Sequence, residues 1–464
     1  MNRRLTSDYC PQTVAILGAA RSGIAAAQFF VARGVAVFVS DICDRSKLDG
    51  ILAANNLVSI GSEAGGHTDR VLDAEVIIVS PGVARDIPIL QKARQKGIAI
   101  WSELELSYRF SKAQFLAVTG SSGKSTTISL LGAICSAAGR ESIVAGNIGI
   151  PLISVTPGLS KDAIVAAEVS SFQLEYIDQF CPRGAAILNL QKNHLDRYGS
   201  EDEYYDAKKA IVTNMTMADT LVLNANDGRL FAWAALVKTK VRVVYFGADV
   251  ADSDCVYCNH GVLYSRTGSI VTTIGTVDRM KLRGQHNYDN ASAAIALALS
   301  AGISIEACRT GIEQFAGLPH RLEFVAEKGG VRYYNDSKAT TAESMLCAIT
   351  AFGRTVHLIA GGRDKGCDFT LLSDAIKANV KKIYLIGEAA DRMERLWAQL
   401  APICRCATLD SAVSKASIAA VAGDAVVLSP GCSSFDMFKN YEDRGEAFRK
   451  TVNSLAVTSG VPVV

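Results

Sequence analysis

The chain has no excess of charge of either sign: 48 Lys and Arg stand against 46 Asp and Glu, a net charge of +2 over 464 residues. Nucleic acid and membrane surfaces are bound through basic patches or tails, so this balance gives no electrostatic case for either as the main partner. No apolar run is long enough to span a bilayer. The basic start, MNRRLTSDYCPQ, leads into a short strand ending at Gly18, without the apolar stretch and small-residue cleavage site of a signal peptide. Low-complexity linkers are missing too, and with 49% hydrophobic and 20% charged residues nothing reads as disordered. The twelve cysteines show no disulfide framework. Most fall singly in apolar segments, as Cys135, Cys181, Cys308 and Cys347 do, which suits a reducing cytoplasm. Cys255 and Cys258 form a lone CxxC, with Cys404 and Cys406 far downstream; one such pair is a weak zinc signal, and free thiols are the plainer reading. What these absences leave is a cytoplasmic protein with a small-molecule partner.

What is present is length and alternation. A chain of 464 residues exceeds what one core organises, so two to three domains are expected. From Thr13, the β-rich runs TVAILG, AVFVSD and EVIIVSPG alternate with helical stretches at Ser22 to Ala32, Lys47 to Asn55 and Ile89 to Lys96. Such alternation predicts a parallel sheet covered by helices. Phe115 opens a larger α/β segment with strands IVAAEVS, AAILNL, TLVLNAND and VRVVYFG, a hairpin-like patch from Val256 to Val277, and a helix from Tyr288 to Ser300. After Gly317, Leu318 and Pro319 a third α/β segment carries VRYYNDS, VHLIAGG, KKIYLIG and AVVLSPG. The expected division is residues 1–103, 104–317 and 318–464, each of nucleotide-fold size.

The stretch FLAVTGSSGKSTT, Phe115 to Thr127, carries the chemistry. A strand delivers a turn in which Gly120 and Gly123 let backbone amides face an anion. Lys124 reaches terminal phosphates and Ser125 offers a hydroxyl to magnesium at a helix N-terminus. The strict P-loop pattern wants glycine where Val118 stands, so this is a variant loop. ATP arrives with magnesium, which needs oxygen ligands. Glu168, at the end of the apolar strand IVAAEVS, is one candidate, since a carboxylate buried there is expensive; the alternative is a carboxylate paired with a nearby base. His194 in NHLDRY is a second, against a loop histidine bonded to backbone. Lys208 in YYDAKKAI reads by default as a solvated helix lysine, no different from Lys209. Arg321 in GLPHRLE suits a γ-phosphate, or a surface salt bridge.

In the first segment Gly18, Ala19, Ala20, Arg21, Ser22, Gly23 follow a strand, with Asp41 ending the next. This is a degenerate dinucleotide fingerprint whose middle glycine is Ala20, so a nicotinamide cofactor, another nucleotide diphosphate and a merely structural turn all stay open. In the third segment NDSKATT, GGRDKG and SPGCSSFD each follow a strand, and three polar loops at strand ends in one domain make a site more credible than three accidents.

Together TGSSGKST, EVSSFQLE, NHLDRY with the downstream AKK, GQHNYDNA, GLPHRLE, NDSKATT and SPGCSSFDMFKNYEDRG resemble the Mur ligase family over essentially the whole chain. The resemblance implies three α/β domains: a Rossmann-like N-terminal domain, a central P-loop ATPase-like domain with a mixed sheet, and a Rossmann-like C-terminal domain. It implies ATP-dependent amide bond formation through an acyl phosphate in peptidoglycan precursor synthesis, by a cytoplasmic monomer with no nucleic-acid or membrane partner. The pattern is closest to members that join D-glutamate to UDP-N-acetylmuramoyl-L-alanine. Carried over, Gly120, Ser121, Ser122, Gly123, Lys124, Ser125 and Thr126 hold ATP phosphates, and Asn287, Asn290, Arg321 and Asp336 complete the nucleotide site. Ser125 and Glu168 hold one magnesium; His194 and a carbamylated Lys208 hold a second. Arg21, Ser22, Ser80, Asn147, Ser170 and His194 face the UDP substrate. Lys338, Thr340, Lys365, Ser434 and Tyr441 face D-glutamate.

Departures from the family pattern are Tyr441 where some relatives carry phenylalanine, Thr341 where asparagine is common, and Ile42 and Cys43 in place of a polar and basic pair beside the uracil nucleotide. Another muramyl ligase or a folylpolyglutamate synthetase is the nearest rival reading; the arginine-bearing DNPR motif of diaminopimelate-adding relatives is absent, and Lys365 with Ser434 favours a smaller dicarboxylate. A nucleotide-binding regulator would need no second magnesium. A nicotinamide oxidoreductase is disfavoured by Ala20 and by the P-loop downstream. Nucleotide contacts spread over two segments predict domain closure.

Overall fold

The computed structural model describes residues 10–147, 149–193, 197–364 and 366–455. They form two compact units, Met1–Thr276 with Asp289–Ile312, and Val277–Tyr288 with Glu313–Val464. Each of the three segments read from the sequence builds one sheet.

In the first unit, a five-stranded parallel sheet runs in the order Gly61–Ala64, Ala36–Asp41, Thr13–Leu17, Val76–Val79, Ala99–Ser102. Every residue of Val76–Val79 is buried, the continuous apolar reading of a strand covered on both faces. The helix Arg21–Val31 starts directly after the first strand's turn, where Gly18 has φ 92°. A Cβ on Gly23 would lie 1.9 Å from the Gly18 carbonyl oxygen, so both outer glycines of GAARSG are demanded by turn and helix packing alone.

The same unit holds a nine-stranded sheet, ordered Ile270–Thr276, Val262–Thr267, Cys255–Asn259, Arg242–Phe246, Thr220–Asn224, Gly184–Ile187, Gln114–Thr119, Ile164–Glu168, Ser142–Gly146. Only the pairings made by Val262–Thr267 are antiparallel, so the sheet is mixed. The expected hairpin-like patch is three strands, its first turn made by His260 and Gly261 at φ 45° and 77°, the left-handed pair that closes a tight hairpin. Cys255 and Cys258 sit three apart on one of these strands, which directs their thiols to opposite faces. The helix Gln285–Ser300 begins before the expected Tyr288 because the Asn287 amide donates to Gly284 O at 2.9 Å and its side chain to Arg283 O at 2.7 Å, winding an extra turn.

The second unit carries a six-stranded sheet, Glu323–Lys328, Val331–Asn335, Ala425–Leu428, Val356–Gly361, Val380–Ile386, Ile403–Arg405, parallel except for its first pair. Its three central strands end at NDSKATT, SPGCSSFD and GGRDKG, which places those loops along one sheet edge.

Candidate active site

The strand Gln114–Thr119 explains the variant P-loop. Val118 is fully buried and pairs with Glu168 on one side and Ala186 on the other, so this position belongs to the sheet, where a glycine would weaken packing. Gly120 and Gly123 hold φ 147° and 82°. A Cβ on Gly123 would fall 2.4 Å from Asn290 Oδ1, and the Thr127 hydroxyl donates to that oxygen at 3.2 Å, so Asn290 packs against the loop itself. The Ser121 and Ser122 amides donate to Asn189 Oδ1 at 3.0 and 2.9 Å, and the Ser121 hydroxyl to Gln191 O at 2.9 Å. These two amides thus converge on a single oxygen, the arrangement that binds a phosphate oxygen.

Two lysines meet behind the loop. Lys124 donates to Gly120 O at 2.9 Å, and Lys208, on the helix Glu201–Lys209, donates to the same oxygen at 3.0 Å. Lys208 is 2% exposed, and its Nζ lies 4.4 Å from the Tyr204 ring centroid. Burial and the Lys124 charge push its pKa down to about 6, with Glu168 opposing. Lys209 instead reaches Asp206 at 3.0 Å near the surface.

Glu168 is buried, and among the described residues neither oxygen is hydrogen-bonded to a base, although its charge acts on the Lys208 amine. One carboxylate oxygen accepts from Ser125 Oγ at 2.8 Å, the other from Asn147 Nδ2 at 3.0 Å. A hydroxyl and a carboxylate are hard oxygen donors, the set that magnesium takes, so these residues fit the ion the resemblance implies. Thr126 is buried next to them. His194 lies outside the described residues.

Asn147 also lines a cavity of about 610 Å³ at the carboxyl ends of the first sheet, together with Arg21, Ser22, Ser80, Asp41 and His67. Arg21 donates to Gly149 O at 3.1 Å and Ser80 to Gly18 O at 2.9 Å, so Ser80 also braces the first turn. Burial works to raise the Asp41 carboxyl, but the Ala19 and Cys43 amides donating to it prevail and hold it low. Ser170 does not line this cavity. It caps the short helix Ser171–Leu174 through Gln173, and Gln173 is the residue that reaches the cavity wall.

In the second unit Arg321 sits between two residues in left-handed conformation, His320 at φ 61° and Leu322 at φ 43°. Strain of that kind persists where surrounding structure holds it. Here the His320 amide donates to Glu323 at 2.8 Å and the Leu322 amide to Asp336 Oδ1 at 3.0 Å. Arg321 Nε is buried without a partner among the described residues. Asp336, which also accepts from Ser429 Oγ at 2.8 Å, is raised to about 7 by burial, with Ser429, Leu322 and Arg321 opposing. Of the acceptor candidates, Lys338 lies 5.5 Å from the Tyr441 ring centroid, Thr340 is half-buried and Ser434 is buried. Lys365 lies outside the described residues.

The loops carrying these residues are stitched together. Gly431 N donates to Ala339 O at 2.9 Å, Ser433 N to Arg363 O at 3.1 Å, and the buried Arg444 donates to Ser337 Oγ, Ser337 O and Cys432 O at 3.0, 2.8 and 3.1 Å.

Three family models match the chain: a Mur ligase MurD-like N-terminal domain over residues 12–102, a Mur ligase middle domain over 118–298, and a Mur ligase glutamate ligase domain over 320–432. The chain belongs to the Mur ligase family. Among its relatives, the UDP-N-acetylmuramoylalanine--D-glutamate ligase of Geotalea daltonii is 41% identical over 96% of this chain and 97% of its own. The enzyme of the same name from Acidobacterium capsulatum is 42% identical over 95% of each. Among solved structures, MurF from Acinetobacter baumannii superposes with a TM-score of 0.60 at 19% identity, covering 96% of this chain and 95% of that one, a likeness of fold.

Sequence reading of this Mur ligase missed Asn189, Gln191, Gln173, His67 and Arg444. Asn189 and Gln191 had a signal, a polar run directly after the strand that faces the P-loop. Arg444 lies in the quoted SPGCSSFDMFKNYEDRG run without standing out, because only burial distinguishes it from other helix arginines.

Proposed function

We propose that this Mur ligase joins D-glutamate to UDP-N-acetylmuramoyl-L-alanine with ATP as the energy source. The observation that carries the reading is Glu168, which ties Ser125 of the phosphate loop to Asn147 of the nucleotide-sized cavity through its two oxygens. One carboxylate so placed serves both phosphoryl transfer and the substrate that receives the phosphoryl group. The relatives' names supply the identity of donor and acceptor.

Lys124 and the amides from Gly120 to Thr126 bind the β- and γ-phosphate oxygens, with Asn290 holding the loop from below. Arg21, Ser22, Ser80 and Asn147 bind the UDP substrate, with Ser170 positioning Gln173 beside them. Ser125 and Glu168 would hold one magnesium, and His194 with a carbamylated Lys208 a second; the ions would supply positive charge against the phosphoryl oxygens. The carbamate has a chemical reason in this chain. With its pKa near 6 the Lys208 amine is neutral at pH 7, so its lone pair can bond to the carbon of CO₂ while the N–H proton leaves to solvent, giving an oxygen anion. The L-alanyl carboxylate then attacks the γ-phosphorus and ADP departs. The D-glutamate amine attacks the acyl phosphate carbon, the tetrahedral adduct gives up the surplus proton on nitrogen to solvent, and its carbon–oxygen bond to phosphate breaks to leave the amide.

Asn287, Arg321 and Asp336 in the second unit are assigned to the nucleotide by family resemblance. The acceptor's two carboxylates need cations and hydroxyls, which Lys338, Lys365, Thr340, Ser434 and Tyr441 would supply. A cytoplasmic location suits the twelve cysteines, all of them free thiols.

The test is a phosphate-release assay with an acceptor panel. Release should require ATP, magnesium, UDP-N-acetylmuramoyl-L-alanine and D-glutamate together. Equal turnover with L-glutamate, L-lysine or diaminopimelate would overturn the acceptor.

A further inference from the structure

A chain of hydrogen bonds that the ligase chemistry leaves unused ends at the cavity wall, at His67. Glu63 on the strand Gly61–Ala64 is buried, and its carboxyl group accepts from the Thr68 amide at 2.9 Å, the Thr68 hydroxyl at 2.5 Å and the Ser40 hydroxyl at 2.6 Å. Burial works to raise its pKa, but these donors prevail and keep it low, so Glu63 is an anion with no proton to give. Ser40 has one hydroxyl proton, and the short bond commits it to Glu63 rather than to Gly66 O at 3.2 Å. Ser40 Oγ therefore has only lone pairs for its other neighbour, His67 Nδ1 at 2.7 Å. The ring proton must sit on Nδ1. Burial lowers the His67 pKa, against the Glu63 and Asp41 charges, which leaves the ring neutral at pH 7 and Nε2 an unprotonated acceptor. His67 lines the cavity beside Asp41 and the exposed apolar side chain of Ile42.

We propose that His67 selects the base of the UDP substrate, its Nε2 accepting the N3–H of uracil, with Ser40 and Glu63 fixing the tautomer. This rests on the assignment of the cavity to the UDP substrate. Cytosine has an unprotonated N3 and would set a lone pair against a lone pair. The Ile42 side chain offers the ring an apolar surface where the polar and basic pair of some relatives is absent. Ser40 and Glu63 act as positioning residues, since neither needs to touch the ligand.

The test measures binding of UDP, CDP and N3-methyl-UDP to the whole protein by calorimetry. The loss of one hydrogen bond to a neutral group corresponds to roughly a three- to tenfold weaker affinity, so the wild type should prefer UDP to both analogues by about that factor. His67→Ala should bind UDP and N3-methyl-UDP alike. Imidazole nitrogen NMR of the wild type needs no variant and should show a protonated Nδ1 with an unprotonated Nε2 whose shift moves on adding UDP. A protonated Nε2 in the free protein, equal affinity of the wild type for UDP and N3-methyl-UDP, or discrimination that survives His67→Ala would overturn the proposal. The ligase reading stands or falls separately. Selective UDP binding without D-glutamate-dependent phosphate release would sink that reading alone, and ligation that proceeds equally well with N3-methylated substrate would sink this one alone.

Discussion

Lys208 and Lys124 donate to one backbone oxygen, that of Gly120, at 3.0 and 2.9 Å. Burial and this like charge together push the Lys208 amine down to about 6. Lys208→Ala should abolish phosphate release, with part of the activity restored by added short carboxylates; wild-type turnover in the variant would remove the carbamate from the mechanism. Lys208→Met should be inactive yet more stable in CO₂-depleted buffer. The sign follows from linkage: a lysine lowered from 10.5 costs the folded state most below pH 6, and the cost shrinks as pH rises toward 10.5. Thermal melts should therefore show the variant's advantage at pH 6 and lose it by pH 10.

Ser125 Oγ donates its proton to Glu168 at 2.8 Å, so a cation approaching this hydroxyl would meet only its lone pairs. Ser125→Ala should raise the magnesium concentration needed for half-maximal turnover by about 10–100-fold, the usual effect of losing a supporting ligand group. Glu168→Gln should leave no measurable turnover. An unchanged magnesium titration for Ser125→Ala would place the ion elsewhere.

Asp336 is a carboxyl raised to about 7 by burial. A carboxyl raised on folding stabilises fully below its unfolded value of 3.8, and that stability is lost as pH climbs to about 7. Asp336→Asn should match the wild-type melting temperature at pH 4 and exceed it at pH 8, with an upper bound of about 4 kcal/mol from the size of the shift. The same variant should weaken ATP use; a wild-type KM for ATP would count against its nucleotide role.

Among the described residues Arg444 bonds no carboxylate, and its Nη1 is buried without a partner. Its pKa falls to about 10 on burial. It earns its place by joining Ser337 to Cys432, so Arg444→Lys should raise the KM for D-glutamate while leaving the KM for ATP unchanged. Lysine cannot reproduce three bonds from a planar fork. Parallel changes in both constants would instead indicate general loss of the second unit's fold.

Much of the fold was legible because it is written locally. Apolar alternation placed the central strands of all three sheets but not Gly61–Ala64, Ala99–Ser102, Ser142–Gly146, Glu323–Lys328 or Ile403–Arg405, and the left-handed φ values of Gly120 and Gly123 follow from loop chemistry a few residues long. The three-stranded edge that begins at Cys255 was less legible, since exposed strands such as Ile270–Thr276 bury little and leave a weak apolar pattern.

The sequence by itself determined the phosphate loop, the sheet-and-helix order, and the candidates at Glu168, Arg321 and Asp336. Tertiary structure decided which of two adjacent lysines is buried, which groups Glu168 bonds, and which nitrogen of His67 carries the proton. Lys208 and Gly120 lie 88 positions apart, and Ser125 and Glu168 lie 43 apart. Backbone preference and amphipathic period act over a few residues, whereas desolvation and proton placement depend on whatever the fold brings alongside.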